Sequence, residues 1–121
     1  MALQQVPTIP ETITVHLGLP NQPAENVTVP FPDYIKNVAS SEIYSTWPQS
    51  TITANVLAIM SFTLNRVYTE WYRNKGYSFT ITSSTAYDQK FMYGRNIYQS
   101  ISDVVDEMLR VPDAASVATA H

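Results

Sequence analysis

The chain is 121 residues long, 45% apolar, and carries ten Asp and Glu against seven Lys and Arg, for a formal net charge of −3. That length suits one domain with a real core, and the scattered cations form no basic stripe, so nucleic-acid binding has no electrostatic footprint. Cysteine is absent, which removes disulfides, thiolate metal ligands and cysteine nucleophiles together, and no apolar run approaches the roughly 18 residues of a membrane span.

The first seven residues, Met1 to Pro7, have neither a basic start nor an apolar stretch of signal-peptide length, so synthesis in the cytoplasm is expected. Residues 1–11, with Pro7 and Pro10, read as an extended lead-in. Ile13, Val15, Leu17 and Leu19 then alternate with Thr14, His16 and Gly18, the period of a strand with one buried face. His16 falls on the opposite side, as a surface residue. Residues 20–26 are rich in turn formers, and Val27 to Phe31 returns as a second strand. The sequon Asn26-Val27-Thr28 reads as chance in a chain without a secretory signal.

Pro32 and Asp33 open a short helix, since proline fits the first turn and an acid suits the positive end of the dipole. Tyr44 to Gln49, with Trp47-Pro48, breaks it. A longer helix is expected to follow Ser50 as N-cap and to run to about Asn74, with Gly76 as its left-handed terminator. Ile52, Val56, Ile59, Thr63, Val67 and Trp71 share one face, which Leu57, Met60 and Leu64 broaden, so this helix is expected to be central and covered on most sides.

Tyr77 to Thr82 alternates as a third strand, and Ser83 to Phe91 is a polar loop. A last helix is expected from about Arg95 to Arg110, with Ile97, Ile101, Val104, Val105 and Met108 inward and Asp103, Asp106 and Glu107 largely outward. Residues 112–121 read as a flexible tail after a single domain over 12–111. The expected fold class is α+β, a small antiparallel sheet of residues 12–19, 27–31 and 77–82 packed on a long central helix with two flanking helices.

Glu42 is the first candidate for chemistry. It follows Val38 by four residues and Ala39 by three, which places a carboxylate along the apolar stripe of the short helix. Desolvation raises a carboxyl pKa and is one way a general acid stays protonated near neutral pH. The alternative is a solvated Glu at a fraying helix end. His16 and His121 are the only histidines, too few for a multi-histidine metal site or a Ser-His-Asp triad, so any chemistry rests on carboxylates, and no metal or cofactor is expected.

Tyr34, Ile35, Lys36, Val38, Ala39, Glu42, Ile43, Trp47 and Pro48, then Ala58, Ser61, Phe62 and Leu64, then Thr85, Gln89 and Phe91, resemble in order the motifs of the stage II sporulation protein D (SpoIID/LytB) family. The resemblance runs from about Ile13 to Gly94. It implies lytic transglycosylation of peptidoglycan glycan strands, with Glu42 matching the catalytic acid. It also implies Ser84, Thr85, Tyr87 and Gln89 as hydrogen-bonding groups for the glycan and Trp47 or Tyr44 as a stacking surface. One carboxyl suffices for such a reaction, because it protonates the glycosidic oxygen and then takes a proton from the sugar's own hydroxyl. Three features depart from the family. Its arginine in the long helix is Met60 here, Ser83 and Tyr87 stand where some members bind zinc, and the domain is shortened at its C-terminal end.

A second reading from another class is a noncatalytic, self-assembling protein of a spore layer, appendage or phage-like particle that reuses the fold. Tyr44, Trp47, Trp71, Tyr72 and Tyr93 offer an association surface, so a homo-oligomer or a complex with a second chain is expected, with Trp47 or Trp71 at the contact.

Overall fold

A computed structural model describes residues 9–110. Its elements are β1 (Thr12–His16), β2 (Asn26–Pro30), α1 (Phe31–Glu42), α2 (Gln49–Thr69), a single 3-10 turn (Arg73–Lys75), β3 (Ile81–Thr82) and α3 (Gln99–Arg110). The α+β class holds. Of the two expected terminal stretches, most of the lead-in and all of the tail lie outside the described residues.

The sheet is mixed where an antiparallel one was expected. β1 is central; it pairs antiparallel with β2, Thr12 opposite Pro30 and His16 opposite Asn26, and parallel with β3, Val15 opposite Ile81. The hairpin makes the first pairing. The second follows from α2, a crossover long enough to return the chain in the direction of β1. β3 is also shorter than the alternation of residues 77–82 suggests, because Tyr77 and Phe79 stack on one another at 5.1 Å and join Tyr72 in an aromatic cluster beside the sheet. Phe79 lies flat on the His16 ring at 4.4 Å. His16 is therefore buried, not a surface residue, with Nδ1 2.6 Å from Asn26 Oδ1 and Nε2 2.9 Å from the Gln22 carbonyl.

The core is built around α1. Phe31, Tyr34, Ile35, Val38 and Ala39 are fully enclosed by Ile13 and Val15 of β1, by Ile52, Val56, Ile59 and Met60 of α2, and by Ile101, Val104 and Val105 of α3. Enclosing a Val, Ile or Phe side chain contributes about 1.5–3 kcal/mol. The long helix, expected to be covered on most sides, keeps one face open: Ala54, Leu57, Ala58 and Ser61 are exposed, Leu57 by 55%. Trp71, expected on the buried face, lies beyond the helix end and is 42% exposed.

Helix ends differ from expectation for local reasons. α2 starts at Gln49, and Pro48, whose carbonyl accepts from Thr51 and Ile52 amides, precedes it in place of a Ser50 cap. It stops at Thr69 because Glu70 adopts φ 49°, and Gly76, at φ 92°, closes the following 3-10 turn. α3 begins four residues later than expected, since residues 92–98 are held against α1 by side chains.

Glu70 is the one described non-glycine residue at positive φ. A left-handed conformation costs an L-residue roughly 1–2 kcal/mol that glycine avoids. Glu70→Gly is therefore expected to raise the unfolding free energy by about 1 kcal/mol, read as a higher urea midpoint at unchanged slope. A lower midpoint would show that the Glu70 side chain contributes more than its backbone strain costs.

Candidate functional site

The polar residues of α1 act on the segment that precedes α3. Asn37 and Ser41 lie four apart on one helical face, and Ser40 and Glu42 flank Ser41. Asn37 is buried and pairs with Met92 as a strand would: its Nδ2 donates to the Met92 carbonyl at 2.8 Å and its Oδ1 accepts the Met92 amide at 2.9 Å. Ser40 Oγ accepts the Tyr98 amide at 3.2 Å, and Ser41 Oγ accepts from Arg95 Nη1 at 3.3 Å. Glu42 Oε2 accepts the Lys90 amide at 2.8 Å. Glu42 itself is exposed and is not turned into the core as its spacing suggested. The neighbouring Ile43 is buried in the core, while the Glu42 carboxylate meets the loop backbone at Lys90.

The loop from Ser83 to Phe91 is fixed from inside by two polar groups. The Asp88 side chain is wholly buried; Oδ1 accepts from Arg66 Nε at 2.8 Å, and Oδ2 accepts the Tyr72 phenol at 2.6 Å, the Thr82 hydroxyl at 2.6 Å and the Thr82 amide at 3.0 Å. Arg66 also donates to the Tyr87 carbonyl at 3.2 Å and stacks its guanidinium over Phe62 and Trp71. Gln89, also buried, donates through Nε2 to Thr63 Oγ1 at 2.9 Å and to the Tyr34 phenol at 3.2 Å. Burial pushes the Tyr34 phenol well above its ordinary range, against the opposing effect of its bond to Gln89. The Tyr72 phenol is pushed the same way, first by burial and then by its hydrogen bond to the Asp88 carboxylate.

The residues singled out from sequence therefore do not converge on one cleft. Glu42 is exposed beside Lys90. Gln89 points inward. Ser84 is used within its own turn, its Oγ accepting the Ala86 amide at 3.1 Å and its carbonyl the Asp88 amide at 2.7 Å. Thr85 is exposed. Tyr87, 52% exposed, faces a hollow of about 330 Å³ shared with Pro20, Asn21, Trp71, Tyr72, Lys75 and Tyr77. Trp47 is 37% exposed and walls a different groove of about 300 Å³ between the start of α2 and α3. Among the described residues no group of three or more His, Asp and Glu is placed to hold a metal ion.

Asp88, Arg66 and Asn37 organise this region and were not singled out from sequence. The available signal was an acid and an arginine in stretches otherwise poor in charge, but pairing residues 22 apart requires the fold. Comparison with protein-family models, with curated proteins and with solved structures finds no match for this chain.

Removing one partner of a buried ion pair costs about 3–5 kcal/mol, because the other charge is left enclosed and unpaired. Asp88→Ala is expected to destabilise the fold by that amount in urea denaturation, and a loss below about 1 kcal/mol would contradict the network's role. The two phenols also predict a pH dependence. A group that holds its proton more tightly when folded contributes stability that is present below its unfolded pKa, about 10 for Tyr, and is lost as pH rises through the folded value. Unfolding free energy is expected to fall with pH above about 10. Tyr34→Phe and Tyr72→Phe should each flatten that slope, and an unchanged slope in both would refute the assignment.

Proposed function

We propose that this chain is a peptidoglycan-directed domain that engages glycan strands at the corner where α1 ends and α2 begins, with Glu42 as its general acid and base. The observation that supports this reading is the setting of Glu42. One carboxylate oxygen is fixed by the Lys90 amide while the residue stays exposed, and the rings of Tyr44 and Trp47, 70% and 37% exposed and edge to face at 5.5 Å, follow in the next turn of chain. A tethered carboxyl beside exposed aromatic rings suits a polymer that lies along the surface. The resemblance to the SpoIID/LytB motifs supplies the strand chemistry.

In this reading the Glu42 carboxyl protonates the glycosidic oxygen, and the resulting carboxylate takes the proton from the sugar's own hydroxyl as that oxygen closes the anhydro ring. No water and no second carboxylate enter the reaction. Gln89 and Ser84 are engaged within the protein and Tyr87 faces a separate hollow, so glycan contacts at this corner fall to Tyr44 and Trp47.

Purified protein is expected to cosediment with peptidoglycan sacculi and to release anhydromuropeptides detectable by mass spectrometry. Glu42→Gln should keep the cosedimentation and lower product release by about 10²-fold or more. Equal release by the variant would exclude Glu42 as the acid, and absence of binding to sacculi would reject the reading.

A noncatalytic assembly role draws on a separate observation. From Gln49 to Asn65 helix α2 carries no charged residue, yet Ala54, Leu57, Ala58 and Ser61 are exposed along it. Exposed apolar surface of this kind is a protein contact, with a second copy of the chain as the simplest occupant. Light scattering over a micromolar concentration series is expected to show self-association that Leu57→Glu abolishes; a strictly monomeric parent protein would remove this second reading.

A further inference from the structure

The groove beside Trp47 has a composition that neither the sequence nor the core requires. Its floor is Ile52 of α2 and Val104 of α3, both buried. Trp47 forms one wall, and Tyr44 braces the indole edge to face. The opposite side is one stripe of α3, Ser100, Asp103, Val104 and Glu107, at spacings of three and four that bring all four side chains to the same face. Gln49 adds an amide at the α2 end.

The polar groups here are mainly acceptors, and their charge is partly answered. Glu107 Oε1 accepts from Arg110 at 2.8 Å, and Asp103 Oδ1 accepts the Gln99 amide group at 2.8 Å. Each carboxylate keeps its second oxygen without a hydrogen bond among the described residues. Among the described residues no cation lines the groove, which disfavours an anionic ligand. A single aromatic wall is not the cage that encloses a quaternary ammonium, and Arg110 already offsets Glu107. A flat apolar ring facing paired carboxylates and an amide matches instead a pyranose, whose C–H face is apolar and whose edge carries hydroxyl donors. The volume of about 300 Å³ is at the small end for ligand sites, the scale of a short saccharide.

We propose that this groove is a saccharide-binding site for a neutral pyranose, with Trp47 stacking on the ring and Asp103 and Glu107 accepting its hydroxyls. Its assignment to a wall glycan rests on the peptidoglycan reading above; the binding chemistry does not.

The chain has two tryptophans, so Trp71→Phe leaves Trp47 as the sole reporter. Titration of that variant with a soluble N-acetylglucosamine tetrasaccharide is expected to give a saturable change in tryptophan emission. Asp103→Asn with Glu107→Gln in the same background should weaken binding by about tenfold or more, each lost charged acceptor being worth that order, with the circular dichroism spectrum unchanged. Calorimetry on Trp47→Phe should show binding lost or similarly weakened. No saturable change, equal affinity in the double variant, equal affinity in Trp47→Phe, or preference for a lysine-rich peptide over the saccharide would each overturn the proposal. Tetrasaccharide binding without cosedimentation on sacculi would uphold this site and reject the wall reading. Cosedimentation on sacculi without tetrasaccharide binding would do the reverse.

Discussion

The buried carboxylate of Asp88 is the constraint on which the rest of this fold depends. An enclosed charge is tolerated only when paired and fully hydrogen-bonded, and Asp88 meets that condition by tying its loop to three other pieces of chain. Arg66 comes from the last turn of α2, Tyr72 from the segment after it, and Thr82 from β3, while Asp88 itself belongs to the loop. None of these could move far without stranding a charge. The left-handed Glu70 follows from this: the chain must turn sharply after Thr69 to bring Tyr72 back under the loop.

Two further polar contacts extend the same logic toward α1. Gln89 bridges Thr63 of α2 and Tyr34 of α1, and Asn37 holds the Met92 backbone by both the nitrogen and the oxygen of its side-chain amide. Among the described residues no buried side-chain polar atom lacks a partner. Apolar packing alone would let the loop over residues 83–98 slide along α1, since such contacts are non-directional. The hydrogen bonds fix its register. A polar layer of this kind contributes less to net stability than its bond count suggests, and more to uniqueness.

Much of the fold was legible because local pattern and tertiary burial agree. Ile13 and Val15 alternate and are buried; Ile52, Val56 and Ile59 recur at helical spacing and face the core. Legibility failed where a long-range partner overrides the local pattern. His16 alternates as a surface residue but is covered by Phe79, which arrives 63 positions later. Tyr77 to Thr82 alternates as a strand, yet its aromatic rings gain more by packing on one another than the backbone gains by pairing. Glu42 marks the limit most clearly. Spacing can give its direction on the helix, and it does meet the loop at Lys90, but spacing cannot say that Glu42 stays exposed while Ile43 beside it is buried.

In the proposed reading Glu42 carries two roles on one side chain, and only one of them needs a proton. As an acceptor for the Lys90 amide it belongs with Asn37, Ser40 and Ser41 in the row that holds the loop to α1. As an exposed carboxyl it is the only acid in α1 beyond the first turn. Glutamine keeps a carbonyl oxygen where the Lys90 amide points and loses the titratable group, whereas alanine loses both. The difference between the two substitutions separates loop positioning from acid chemistry. An effect seen equally in both is chemistry, because the loop contact survives in only one of them; an effect confined to alanine is the anchor.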